Sequence, residues 1–172
     1  MKSATLALAA LFAVGCGATV NSSLSPTANV GQYRTFAFYS SPYKQGKPES
    51  LADQQIRAAI TQSLTGKGLH EATGGAPDFL ISYHVVEQQK LEANDIGYGY
   101  WGFGGVDLTT YTQGTLVVDF IDPQTHKVFW RGTASQMVND PQNPNQQKLE
   151  AAVVKLMNRY PYNVASASRP AM

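Results

Sequence analysis

The chain of 172 residues contains a single cysteine, Cys16. One thiol closes no intramolecular disulfide and builds no cysteine-rich zinc site, so packing alone must hold the fold. An excess of either charge is lacking too: 13 Lys and Arg stand against 12 Asp and Glu. With no basic field to neutralise phosphates, nucleic acid is excluded as a partner. Long apolar runs are missing. The longest, beginning at Ala4 and ending at Val14, has only about half of the roughly 20 residues needed to cross a bilayer. Also absent are a Gly-x-Ser-x-Gly elbow and a P-loop. Gly97-x-Gly99-x-x-Gly102 matches a dinucleotide pattern by letters only, because Tyr100 and Trp101 fill its variable sites and no helix follows. His70, His84 and His126 have no zinc spacing, so no metal or cofactor is expected. What remains, 43% hydrophobic and 15% charged residues, is the composition of a globular domain.

The position of the one cysteine is informative. Lys2 precedes the apolar run, and small residues close it in Ala13-Val14-Gly15-Cys16-Gly17. A basic start, a short apolar stretch and a small-residue end form a secretory signal. With Cys directly after the small residue, the segment resembles the lipobox of bacterial lipoproteins, with Ala13 where Leu is usual. That resemblance implies diacylglyceryl modification of the Cys16 thiol, cleavage before Cys16 and acylation of the new amine. Gly17, rather than Asp, implies the outer membrane, with the domain facing the periplasm.

Residues 1–15 thus read as a lipoprotein signal peptide, and 16–30 as the lipidated Cys and a flexible tether rich in Ser, Thr, Asn, Gly and Ala. Such a tether reaches roughly 20 Å. Residues 31–161 read as a single domain and 162–172 as a disordered tail. Within the domain, the aromatic segment from Tyr33 to Tyr39 predicts a strand. Ser50, with Asp53 three residues on, starts a helix whose apolar face is Ala52, Ile56, Ala59, Ile60 and Leu64, and Gly66 and Gly68 stop it. A strand from Asp78 to Glu87 follows, parallel or nearly so to the first.

After a long segment, about Leu91 to Thr110, two strands run from Gly114 to Asp122 and from Lys127 to Val138. Setting Asp119 opposite Arg131 buries Leu116, Val118, Phe120, Trp130 and Ala134 together and leaves the charged pair outside. Asn143-Pro144 starts a last helix with the stripe Leu149, Ala152, Val153, Leu156 and Tyr160, and Pro161 ends it. The fold class is α+β: a two-layer sandwich in which a mixed sheet of about four strands carries two helices on one face, in the order β-α-β-β-β-α.

Several segments in order (Tyr33-Arg34-Thr35-Phe36-Ala37, Ile56-Arg57-Ala58-Ala59-Ile60, Asp78-Phe79-Leu80-Ile81-Ser82-Tyr83-His84, Gly114-Thr115-Leu116-Val117-Val118-Asp119 and Trp130-Arg131-Gly132) resemble the bacterial lipoproteins grouped as domain of unknown function 4136. The ordered set carries the likeness, over about Val30 to Pro161. It implies an envelope location and no catalytic residues.

After Cys16, the best functional candidate is the loop from Gly97 to Gly105. Glycine frees its backbone, and Tyr98, Tyr100, Trp101 and Phe103 offer amphipathic contact surface for an envelope protein, a glycan or a lipid face. The competing reading folds these aromatics back over the sheet. Function is therefore expected to be non-enzymatic: a lipid-anchored structural or interaction module, the alternative being a ligand carrier that uses this loop.

Overall fold

The computed structural model describes residues 17–39, 49–96, 105–138 and 145–162. Among these residues six strands and two α-helices follow one another as β1 (Thr19–Leu24), β2 (Thr35–Phe38), α1 (Leu51–Gly66), β3 (His70–Glu71), β4 (Phe79–Ile96), β5 (Gly105–Ile121), β6 (Val128–Val138) and α2 (Gln146–Met157). They build one mixed sheet in the order β1-β6-β5-β4-β2-β3. β2 pairs parallel with β3 and with β4, and every other pair is antiparallel. The α+β class and the mixed sheet are as expected, but there are six strands, not about four, and the element order differs.

The two additional strands arise where local sequence is least telling. Residues Thr19–Leu24, expected in the tether, form β1 by pairing along β6 from Thr19↔Ser135 to Leu24↔Trp130. Only Val20 of this strand is buried, so alternation is too weak to mark it. The following residues are held as well. Ser25 N–H donates to Phe129 O at 2.7 Å, and the Tyr33 ring lies 4.9 Å from Phe129. β3 is a two-residue pairing against Thr35 and Phe36. The segment from Leu91 to Thr110, expected as a long loop, is mostly strand, because β4 and β5 stay in register as far as Ile96↔Gly105.

The helices form as their sequences dictate. Ser50 Oγ accepts the Asp53 amide at 3.1 Å and caps α1. At its other end Gly68 takes φ +89°, Gly68 N–H bonds Thr65 O, and Leu69 N–H bonds Leu64 O. This is a Schellman stop, with Leu64 and Leu69 both buried beside it. α2 is capped by Asn145, whose Oδ1 accepts the Lys148 amide at 3.0 Å. The expected start at Asn143-Pro144 is thus replaced by a cap two residues later.

Both helices contribute to one buried cluster with the sheet. At its centre Phe120 lies 4.6 Å from Trp130 and 4.8 Å from both Phe79 and Tyr160, ring centre to ring centre. Tyr162 is buried and stacks on Tyr160 at 6.3 Å, so the domain continues through a residue expected in the tail. Asp119 faces Arg131 as expected, but its carboxylate is not outside: Asp119 is 8% exposed.

Candidate functional site

The N-terminal ends of both helices lie at the same end of the sandwich, and there the layers part. A groove of about 420 Å³ opens between α1, α2 and strands β4 to β6. Its floor is one register row, Val85↔Leu116↔Ala134, and the next row outward is Glu87↔Gly114↔Gln136. Ala52 and Ile56 of α1 and Leu149 and Ala152 of α2 form the walls. Space exists because four of these positions, Ala52, Gly114, Ala134 and Ala152, carry a methyl group or none. Deeper in the sandwich the corresponding places hold Ile60, Val118, Trp130 and Leu156, which close the layers.

The rim is polar. Ser50 Oγ donates to Asp53 Oδ2 at 2.7 Å, and Tyr83 Oη donates to the Asp53 carbonyl at 3.4 Å. Burial and, next, the Asp53 carboxylate push the Tyr83 phenol above its ordinary range, so it stays protonated and donating at neutral pH. Arg57 lies over the Phe38 ring at 4.1 Å and pairs with Glu49 at 3.4 Å beside this rim. Val85 is 52% exposed, so the floor is open to solvent on its β4 side. Among the described residues no three His, Cys, Asp or Glu side chains gather into a metal site. An apolar floor beneath a rim of hydroxyl and carboxylate groups suits an extended apolar group with one polar end.

Cys16 lies outside the described residues, and so do Tyr98, Tyr100, Trp101 and Phe103. The chain does place the latter four between the ends of β4 and β5. From Glu87 in the groove to Ile96 the strand runs nine residues, about 30 Å. The groove thus lies at the inner part of β4, a strand length away from Ile96. Of the histidines, His70 is in β3, His84 lies at the groove in β4, and His126 sits in the β5–β6 turn at φ +56°. Sequence reading missed the groove. Its one signal was the set of small residues on otherwise large apolar faces.

A family model for a domain of unknown function, DUF4136, matches residues 20–162. The chain belongs to the DUF4136 family. The match begins inside β1 and ends at Tyr162, so the family domain includes both ends of the sheet described above. A crystal structure of a DUF4136 family protein from Bacteroides thetaiotaomicron is similar at TM-score 0.52 and 18% identity, covering 85% of this chain and 97% of that one. A PDZ domain protein from Parabacteroides distasonis is similar at TM-score 0.57 and 16% identity, covering 86% of this chain. This DUF4136 chain spans 37% of that protein's length. Likeness at these identities establishes the fold alone. No curated protein matches this DUF4136 chain.

Proposed function

We propose that this DUF4136 protein is a lipid-anchored module of the bacterial envelope, held by Cys16 at the periplasmic face of the outer membrane and acting by contact, not by catalysis. The observation that carries the reading is the close spacing of lipobox and fold. Cys16 ends the apolar signal, and only Gly17 and Ala18 separate it from β1. A single acyl chain binds membranes marginally, so the multiple chains of a lipoprotein are what make such an anchor lasting. The test is fractionation of envelopes together with mass spectrometry of the mature amino terminus. Wild-type protein partitions with membranes and carries an acylated Cys16, and Cys16→Ala moves it to the soluble fraction. Membrane residence of the Cys16→Ala protein would overturn the anchor.

A second reading is favoured by the groove: a periplasmic carrier of an apolar ligand. The concavity it uses is the row Val85, Leu116 and Ala134 beneath the helix ends. Native mass spectrometry of protein released gently from membranes would detect a bound apolar molecule. Ala134→Leu, which fills the floor, should abolish that adduct while leaving the fold intact.

A further inference from the structure

The strand directions relate the anchor to the long β4–β5 ribbon. Thr19 is level with Ser135, Thr115 and Val86, one row across four strands. β1 runs away from that row toward Leu24, so the chain leading back to Cys16 leaves it on the other side. β4 leaves the row on that same side as it runs on from Val86 to Ile96. The start of β1 is held in place: Ala18 is buried, and its carbonyl accepts from Lys155 Nζ at 2.7 Å. Three residue steps carry Cys16 at most about 11 Å beyond Thr19. Ten residue steps carry Ile96 about 33 Å beyond Val86. The ribbon therefore outreaches the anchor by roughly 20 Å, on the anchor's own side. The Asp122–Lys127 turn lies at the opposite end of the sheet.

Resting on the lipid-anchor reading, we propose that the β4–β5 ribbon is a second membrane contact, laid against the same bilayer that holds the acyl chains of Cys16. With an anchor this short, the body cannot rise clear of the lipid, and the ribbon meets the surface before any other described part of the chain. The last β6 pairing is Thr112↔Val138 and the last β2 pairing is Phe38↔Ile81, so among the described residues the outer ribbon has only two strands. Two strands alone are marginal in water, and a contact surface stabilises them.

The experiment uses the full lipidated chain in phosphatidylethanolamine–phosphatidylglycerol vesicles. Because the one native thiol is consumed by lipid, an introduced cysteine is the single labelling site. An environment-sensitive fluorophore goes on Asn94→Cys in the ribbon or on Gln124→Cys in the far turn, with Thr109→Cys on the facing strand as a second ribbon reporter. A quencher attached to the lipid should dim the ribbon labels at least threefold more than the turn label. Equal quenching at both ends, or stronger quenching at 124, overturns the proposal. So does an oxidative dimer of the unlabelled Asn94→Cys protein together with an unquenched label on Thr109→Cys, which would assign the ribbon to a second copy. A free thiol at Cys16 in the wild-type chain, with no flotation on vesicles, removes the anchor itself and the proposal with it. Flotation without ribbon quenching leaves the anchor standing and overturns the ribbon contact alone.

Discussion

Asp119 and Arg131 stand directly opposite one another on β5 and β6, joined by two charge-assisted hydrogen bonds. Arg131 Nε donates to Asp119 Oδ1 at 2.6 Å and Nη2 to Oδ2 at 2.7 Å. The two side chains are unequally placed: the Asp119 carboxylate is shielded, whereas about half of the Arg131 side chain is exposed. A shielded carboxylate thus depends on a guanidinium that reaches in from solvent. Removing the cation leaves a buried anion, whereas removing both leaves only a packing change. Arg131→Ala should therefore cost about 1–3 kcal/mol. A urea-melt cycle with Asp119→Ala should give a coupling above the ~0.2–1 kcal/mol of an ordinary cross-strand pair. Additivity of the two single losses would contradict this account.

Gly132 is the packing counterpart of that pair on the other face. A Cβ there would stand 2.5 Å from Trp130 Cη2 and 2.8 Å from Leu156 Cδ1. The indole and the leucine are both buried in the core and cannot swing into water. Gly132→Ala should lower stability by about 1–3 kcal/mol through overpacking. Chemical denaturation checks it, and an unchanged midpoint would mean that Trp130 can yield.

Tyr160 is 1% exposed, and its hydroxyl has no hydrogen-bond partner among the described residues. Burial raises its pKa, so it remains a neutral phenol in the folded chain. Tyr160→Phe removes an unsatisfied group and keeps the ring contacts with Phe120 and Trp130. Stability should stay the same or rise by up to about 1 kcal/mol, whereas Tyr160→Ala should cost about 3–5 kcal/mol. A clear loss in the Phe variant would reveal a partner for the hydroxyl.

Asp78 ties the start of β4 to β2. Its Oδ2 accepts from Arg34 N at 2.7 Å, Thr35 N at 2.8 Å and Thr35 Oγ1 at 3.1 Å. Partial burial opposes ionisation, but the two amides and the hydroxyl outweigh it and hold the carboxyl below its ordinary value. Because the folded-state pKa is lowered, the stabilisation is complete above the ordinary carboxylate range and fades as pH falls through the folded value. Thermal melts from pH 7 down to about pH 2 should show a shallower acid loss for Asp78→Asn than for wild type. Superimposable profiles would count against a role for Asp78 in acid stability.

Local pattern was enough where polar and apolar residues alternate against a defined core. The period-two set of Leu116, Val118 and Phe120 and the charge match of Asp119 with Arg131 specify the β5–β6 register, because a one-residue slip would put the ion pair in the apolar layer. The slip between Phe120 and Ile121 was not legible: Ile121 pairs with Val128, not Phe129, and Phe129 turns inward against Tyr33. The outer half of the β4–β5 ribbon was equally hidden. Its residues between Gln88 and Asn94 are polar or charged save Leu91 and Ala93, and read locally as loop. The groove left almost no trace, since an alanine on a helix stripe looks the same whether a neighbour fills the space above it or not.

From the order of its residues alone the chain determines two amphipathic helices and the register of the central hairpin. Each follows from interactions within one segment or between neighbouring ones. Only the tertiary structure makes Thr19–Leu24 a strand, because its hydrogen-bonding partners are more than a hundred residues away in β6. That pairing turns a supposed leash into a sheet edge. It sets the start of β1 on the side of the sheet from which the ribbon projects, a relation settled by strand direction across four strands and legible in no single stretch of sequence.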